Sequence, residues 1–485
     1  MLRTAVFVLV MTACTAAAEE SARQLARILA SKGVLTAAEL DRVEHADPTE
    51  GIQLLTAVLY QKGVLTSAEV ARVSGQVASG PAPMLAVAPV PGPQAVAAPK
   101  APDVVPEVST ASRSRLQIYG TALWNAFDNT AGVNIEDIPS LATKRGTDPY
   151  QNFGMTVRQM RFGARLQGPK VFGAAVTGVT EMDFFGATDA LANGVGMDIP
   201  RLRLAYGRMD WRHAAIEVGQ DWSVFSPLNP TSLAAYAIPA LSTSGNPWIR
   251  TPQFRFEWHG DSSQPTRLLF QAAALDPNIG DNPTTVVTSR TPGIGERGKG
   301  PAGETRLALL TKFGDRDASI GLSSHYNRGL NVGTLANQTV ERAVDSWGVN
   351  LDYTLPVAKK LEFTGEAFVG RALGLFSVSS GQTVLPPGTP GEHGVAARGG
   401  WAQAQLNFNS KWQMNLDYGI ESIDGSNLRT GDRSKNQTYM ANLMYKMSPR
   451  ITWAWEWRRF LTNYRNQAAA NATADHTNMA IAYTF

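Results

Sequence analysis

The sequence predicts an all-β fold, a transmembrane antiparallel β-barrel of about 16 strands with a small α-helical unit in front of it. Three observations carry the prediction. From Leu116 onward, apolar and polar residues alternate with period two in segment after segment, as in strands whose faces meet two different solvents. The connections between these segments alternate between very short and very long, the layout of a barrel with tight turns at one rim and loops at the other. After the first twenty residues, no apolar run reaches the ~18 that a spanning helix needs.

Composition agrees. Only 18% of the 485 residues are charged, and the chain carries 44 Gly, 12 Tyr and 11 Trp. A formal charge of +3 with no basic block gives no reason to expect nucleic acid. The single cysteine is Cys14.

Residues 1–18 read as an export signal: Arg3 supplies the positive start, Ala5 to Ala13 the apolar stretch, and Ala16-Ala17-Ala18 the cleavage site. Cleavage before Glu19 would leave no cysteine and hence no disulfide. The rival reading takes Met11-Thr12-Ala13-Cys14 as a lipid-attachment box, with Cys14 the modified residue.

Residues 19–80 hold an internal repeat of period 30. The stretch Leu29 to Glu39 (LASKGVLTAAE) recurs as Leu59 to Glu69 (LYQKGVLTSAE). Each copy stops a helix and starts another: Gly33 is placed for a left-handed C-cap, and Thr36 with Glu39 for a capping box, repeated by Thr66 and Glu69. Two short helical hairpins are expected, serving either as an anchoring element or as a spacer. Residues 81–114 form a linker, whose portion 81–106 is almost entirely Pro, Ala, Val and Gly and cannot bury a core.

The barrel occupies 115–485. Sixteen strands are expected at 115–126, 154–166, 171–184, 199–210, 213–222, 249–259, 265–275, 303–314, 317–328, 344–354, 359–372, 396–408, 411–422, 435–447, 450–462 and 474–485. Short turns such as Gly168-Pro169-Lys170 and Gly314-Asp315-Arg316 alternate with long segments at 127–153, 223–248, 276–302 and 373–395. An even count puts both barrel ends on the short-turn side. Faces follow from charge, which costs ~2–4 kcal/mol on a lipid face at mid-membrane. Phe254, Phe256, Trp258, Trp453, Trp455 and Trp457 are therefore outward, and Arg255, Glu257, Glu456 and Arg458 inward. The last strand, Asn478 to Phe485, sends Met479, Ile481, Tyr483 and Phe485 outward. A large soluble β-sandwich would also bury one face, but seldom with such strict alternation of loop length.

The closing strand with its terminal Phe485 resembles that of bacterial outer-membrane barrels. A more specific resemblance lies around the long connection 223–248. It opens Gly219-Gln220-Asp221-Trp222-Ser223-Val224-Phe225 and closes Pro247-Trp248-Ile249-Arg250-Thr251-Pro252-Gln253-Phe254-Arg255, with Arg201-Leu202-Arg203-Leu204-Ala205-Tyr206-Gly207 before it. This succession resembles the DcaP-like porins, trimeric outer-membrane channels of Gram-negative bacteria whose third loop folds into the pore. The resemblance implies a homotrimer in outer-membrane lipid, an in-folded loop at 223–248, and the helical unit in the periplasm, where 19–80 could meet the cell wall. That family is thought to carry a coiled-coil extension, where this chain has paired hairpins and a Pro-rich linker.

The inward parity gathers Arg161, Arg165, Arg201, Arg203, Arg255, Arg306 and Lys312 on even-numbered strands, with Arg250 beside the loop. Glu181, Asp183, Glu217 and Asp221 lie on the strands between. Rows ~4.8 Å apart would interleave. They would form either a transverse field that guides anions or a self-neutralising network that braces the wall.

The expectation is a pore for passive diffusion of small hydrophilic solutes, leaning to anions such as carboxylates and phosphate. A carbohydrate channel, with Tyr119 and Trp401 as its inward aromatics, is the alternative within transport. A barrel-embedded hydrolase or an adhesin is the alternative outside it. No enzyme motif is present: none of the six histidines has metal-ligand spacing, and there is no nucleophile elbow. No cofactor or metal is expected, and the segment 276–282, Asp-Pro-Asn-Ile-Gly-Asp-Asn, reads as a solvated turn before a calcium loop.

Overall fold

The protein is described here from a computed structural model covering 26–45 (except 28, 32 and 33), 55, 58–59, 108–109, and 114–485 except 144–150, 187, 191–195, 262–263, 281–290 and 468–470. The export signal, Gly33, Thr66 and Glu69 lie outside the described residues. The chain divides into two units, 1–84 and 85–485.

In the first unit, α1 (Ala37–His45) begins with the expected box. Thr36 N–H and its hydroxyl donate to Glu39 Oε2 at 2.7 and 2.8 Å, and Glu39 N–H returns to Thr36 Oγ1 at 3.4 Å. Leu29, Leu35, Val43, Leu55 and Leu59 share one small core, so equivalent residues of the two repeat copies pack together.

The second unit is a closed barrel. Its strands are β1 (Arg115–Asn129), β2 (in two pieces, Asn152–Thr156 and Arg161–Gln167), β3 (Ala175–Asp183), β4 (Arg201–Asp210), β5 (Ala214–Trp222), β6 (Arg250–His259), β7 (Arg267–Leu275) and β8 (Ala302–Phe313). The second half comprises β9 (Arg316–Leu335), β10 (Gln338–Ala358), β11 (Leu361–Arg371), β12 (Ala396–Asn407), β13 (Trp412–Ile423), β14 (Arg433–Lys446), β15 (Ile451–Tyr464) and β16 (Ala472–Thr484). Each pairs antiparallel with its sequence neighbours. β16 closes the ring on β1 from Thr121↔Thr484 to Asn129↔His476. Phe485 extends that seam, exchanging backbone hydrogen bonds with Gly120 at 3.1 and 3.2 Å. Sixteen strands and antiparallel closure are as expected.

The faces follow the sequence pattern. Phe254, Phe256, Trp258, Trp455, Met479 and Ile481 are exposed on the outer wall, while Arg255, Glu257 and Glu456 are buried inside it. Directly opposed residues of neighbouring strands share a face, so the outer belt continues through Leu307, Leu322, Leu351 and Leu416.

Three details differ from the pattern. The second strand is not continuous: 157–160 leave the ladder between its two pieces. β9 and β10 run far beyond 328 and 344 as one hairpin, turning at Ala336 and Asn337, both with positive φ (49° and 63°). That is the geometry of a two-residue turn whose twist suits antiparallel strands, and polar residues hid it. Finally, Val108 and Ser109, inside the expected linker, pair back onto Leu116 and Arg115.

Candidate functional site

The interior is organised by the segment 223–248. Among its 26 residues only Pro227, Leu228, Asn229, Tyr236 and Ile238 escape full burial. Its strands hold one another at the root (Trp222↔Arg250), so the segment is free to depart inward. At its start, Glu304 of β8 accepts from Val224 N at 3.0 Å, Phe225 N at 3.2 Å and Ser223 Oγ at 2.8 Å. Phe225 packs against Phe376 of the 372–395 connection, with ring centroids 4.7 Å apart and the rings tilted by 45°. Farther along, Ser226 Oγ donates to Glu366, Ser232 Oγ to Glu456 at 2.6 Å, and Asn442 Nδ2 to Thr231 O at 2.8 Å. The return limb packs its backbone on the wall: a Cβ on Gly245 (φ 97°) would strike the carbonyls of Gly400 and Ile420. Asn350, Glu366, Asn436, Thr438, Asn442 and Glu456 of the wall thus bond this one segment, so that polar groups on both sides are paired away from water.

At the tip, Tyr236 and Ala237 meet the basic strands. Arg161 donates to Tyr236 O and lies 3.5 Å above the Tyr236 ring. Arg201 and Arg203 donate to Ala237 O at 2.9 and 3.2 Å. Arg203, 1% exposed, also holds Glu181 and Asp183, each at 2.7 Å, and Arg201 holds Asp183 at 2.6 Å. Arg250 stands against the faces of Trp222 and Trp248 at 4.8 and 5.4 Å, in the field of Arg161, Arg201 and Arg203. Four guanidiniums here confront two carboxylates. A second cluster lies one step along the wall. There Arg255 contacts Glu217, Asp221 and Glu257 at 2.9, 2.8 and 3.3 Å.

Arg306 belongs to neither cluster. It reaches across β9 to a two-point pair with Asp352 at 2.9 and 2.7 Å, over Gly321, where a Cβ would collide with both groups. Arg165 is half-buried between Tyr119 and Tyr206. Among the described ion pairs none involves Arg161, Arg165 or Arg250. So the seven arginines divide. Arg201, Arg203, Arg255 and Arg306 are matched by carboxylates, as in the bracing alternative, and three arginines are left over.

Strict alternation missed Arg208. Pairing between β3 and β4 slips at Arg203: Met182 faces Leu202 and Glu181 faces Leu204. This bulge reverses the inward parity, so Tyr206 and Arg208 turn inside, opposite Gly219 and Glu217. Arg208 then contacts Glu257 at 2.6 Å, Asp210 at 2.9 Å and Glu217 at 3.2 Å. No local signal marks a bulge at a non-glycine residue. A cysteine at Tyr206, in a Cys14→Ser background, should react with an impermeant thiol reagent in open channels, and one at Gly207 should not. The reverse pattern would mean unbroken alternation in β4.

Inward does not mean accessible. Glu456 is covered by Ser232, and Trp401, an inward aromatic of the carbohydrate alternative, is 3% exposed beneath Ala235, Ala240 and Leu241. It offers no ring to a passing sugar. In the 276–282 segment, Asn278 Oδ1 accepts from Gly280 N at 2.6 Å, a local turn, and 281–282 lie outside the described residues.

No family model and no curated protein matches the chain. Among solved structures, the outer membrane channel DcaP of Acinetobacter baumannii matches with a TM-score of 0.57 at 16% identity, over 78% of this chain and 99% of that one. OmpF of Salmonella typhi in complex with daunomycin has a TM-score of 0.47 at 14% identity, over 78% and 100%. The anion-selective porin of Comamonas acidovorans has 0.45 at 13%, over 77% and 100%. At such identities the likeness is one of fold, and the chain is a sixteen-stranded barrel of the porin type that resembles the DcaP channel along its whole barrel.

Proposed function

We propose that this chain is a passive channel for small hydrophilic solutes in the outer membrane of a Gram-negative bacterium, with a preference for anions such as carboxylates and phosphate. The observation that carries the preference is a surplus of guanidiniums against the in-folded segment: among the described ion pairs, Arg161 and Arg250 have no carboxylate partner. Guanidinium groups keep their charge at all physiological pH. An anion crossing there exchanges hydration for charge-assisted hydrogen bonds, two-pronged with a carboxylate or phosphate. Glu181 and Asp183 temper the field, so the preference is modest. It should fade as salt shortens the screening length from ~10 Å at 0.1 M to ~3 Å at 1 M. The same reading makes the protein a homotrimer surrounded by lipid, with no catalytic role.

Reversal potential in a salt gradient tests it. Arg161→Gln with Arg250→Gln removes two charges that form none of the described ion pairs, so the barrel should keep its heat resistance while the potential moves toward cations. A wild-type channel already cation-selective at 0.1 M salt would overturn the anion preference and leave only the pore.

A further inference from the structure

In an unbroken strand Arg158 and Gln159 would point to opposite faces. The interruption of β2 at 157–160, closed by a Met160 N to Val157 O bond of 3.0 Å, lets both serve the interior. Arg158 grips Asp137 of the 130–151 connection, its Nε 2.7 Å from Asp137 Oδ2, and lies 4.0 Å above the Phe185 ring.

Gln159, fully buried, grips the other loop. Its Oε1 accepts from Tyr236 N at 2.8 Å and Ala237 N at 3.2 Å. Its Nε2 donates to Ala234 O at 3.1 Å and to Asn125 Oδ1 at 3.4 Å. The same two loop residues give their carbonyls to Arg161, Arg201 and Arg203. Tyr236 and Ala237 are therefore held from two sides, N–H groups by one amide and C=O groups by three guanidiniums.

We propose that Gln159 is the positioning residue of the constriction: it sets where 234–237 stand against the arginines, and so the width and anion preference of the channel, without touching solute. This rests on the function proposed above. Glutamine suits the task because one side chain supplies an acceptor with two lone pairs and two donors. Leucine of similar bulk would leave two N–H groups and a carbonyl buried and unpaired, which costs each its desolvation without return, and the loop would move to hydrate them.

Hydrogen exchange and conductance on the intact channel test this together. In wild type the amides of Tyr236 and Ala237 should be protected. In Gln159→Leu they should exchange roughly tenfold faster or more, with broader open-channel noise and a reversal potential shifted toward zero, in a barrel that still resists heat. Gln159→Glu keeps the acceptor and should retain the amide protection. Unchanged exchange in Gln159→Leu would overturn the proposal, as would faster exchange with conductance and selectivity unaltered. A wild-type channel without anion preference would instead defeat the function proposed above, while the exchange and noise arms would still decide whether Gln159 sets the loop.

Discussion

Arg203→Leu is expected to destabilise the barrel by ~3–5 kcal/mol, the range for removing one partner from a buried ion pair, and to weaken the anion preference proposed above. The guanidinium is 1% exposed and bridges Glu181, Asp183 and Ala237 O. Without it Asp183 keeps Arg201, but Glu181 loses its ion-pair partner and is left with a 3.4 Å bond from the Tyr119 hydroxyl and the field of Arg161 and Arg250. Polar groups in the interior that lose their partners cost more than the pair contributed net, because desolvation stays while the attraction goes. Adding Glu181→Leu to Arg203→Leu should therefore recover much of the loss, a coupling that a double-mutant cycle isolates. Denaturant unfolding of the refolded barrel measures both. A loss below ~1 kcal/mol for Arg203→Leu would put the pair in the class of solvated surface bridges, despite its burial.

Deleting 232–243 should raise single-channel conductance by a clear margin and flatten selectivity. The deletion removes the tip that Arg161, Arg201 and Arg203 embrace, and takes Thr243 from Asn436 and Ser232 from Glu456 on the wall. The ring itself should survive, since β5 and β6 pair along nine residue pairs without help from the loop. Unchanged conductance from an intact barrel would place the narrow point elsewhere, with the 372–395 connection next to be tested because Phe376 already packs on Phe225.

The wall was legible because a sheet between lipid and a polar interior leaves its period in every strand. Phe254, Phe256 and Trp258 against Gln253, Arg255 and Glu257 give register and face together, and a one-residue slip would have reversed them all. Length did the same for the connections: 223–248 is too long and too apolar for an exposed turn. What alternation cannot express is its own interruption. The bulge at Arg203 and the break at 157–160 are recorded in no local composition, and through them Arg208, Arg158 and Gln159 turn toward the interior. Nor does charge along a strand say which arginine finds a carboxylate. Arg306 meets Asp352 only because Gly321 of the strand between them lacks a side chain, and Arg250 is left with tryptophan faces. The sequence by itself determined a sixteen-stranded barrel with an apolar exterior, a basic interior and a loop turned inward. Which charges cancel and what holds the loop were decided only by the closed barrel, because both depend on distances between residues far apart in the chain.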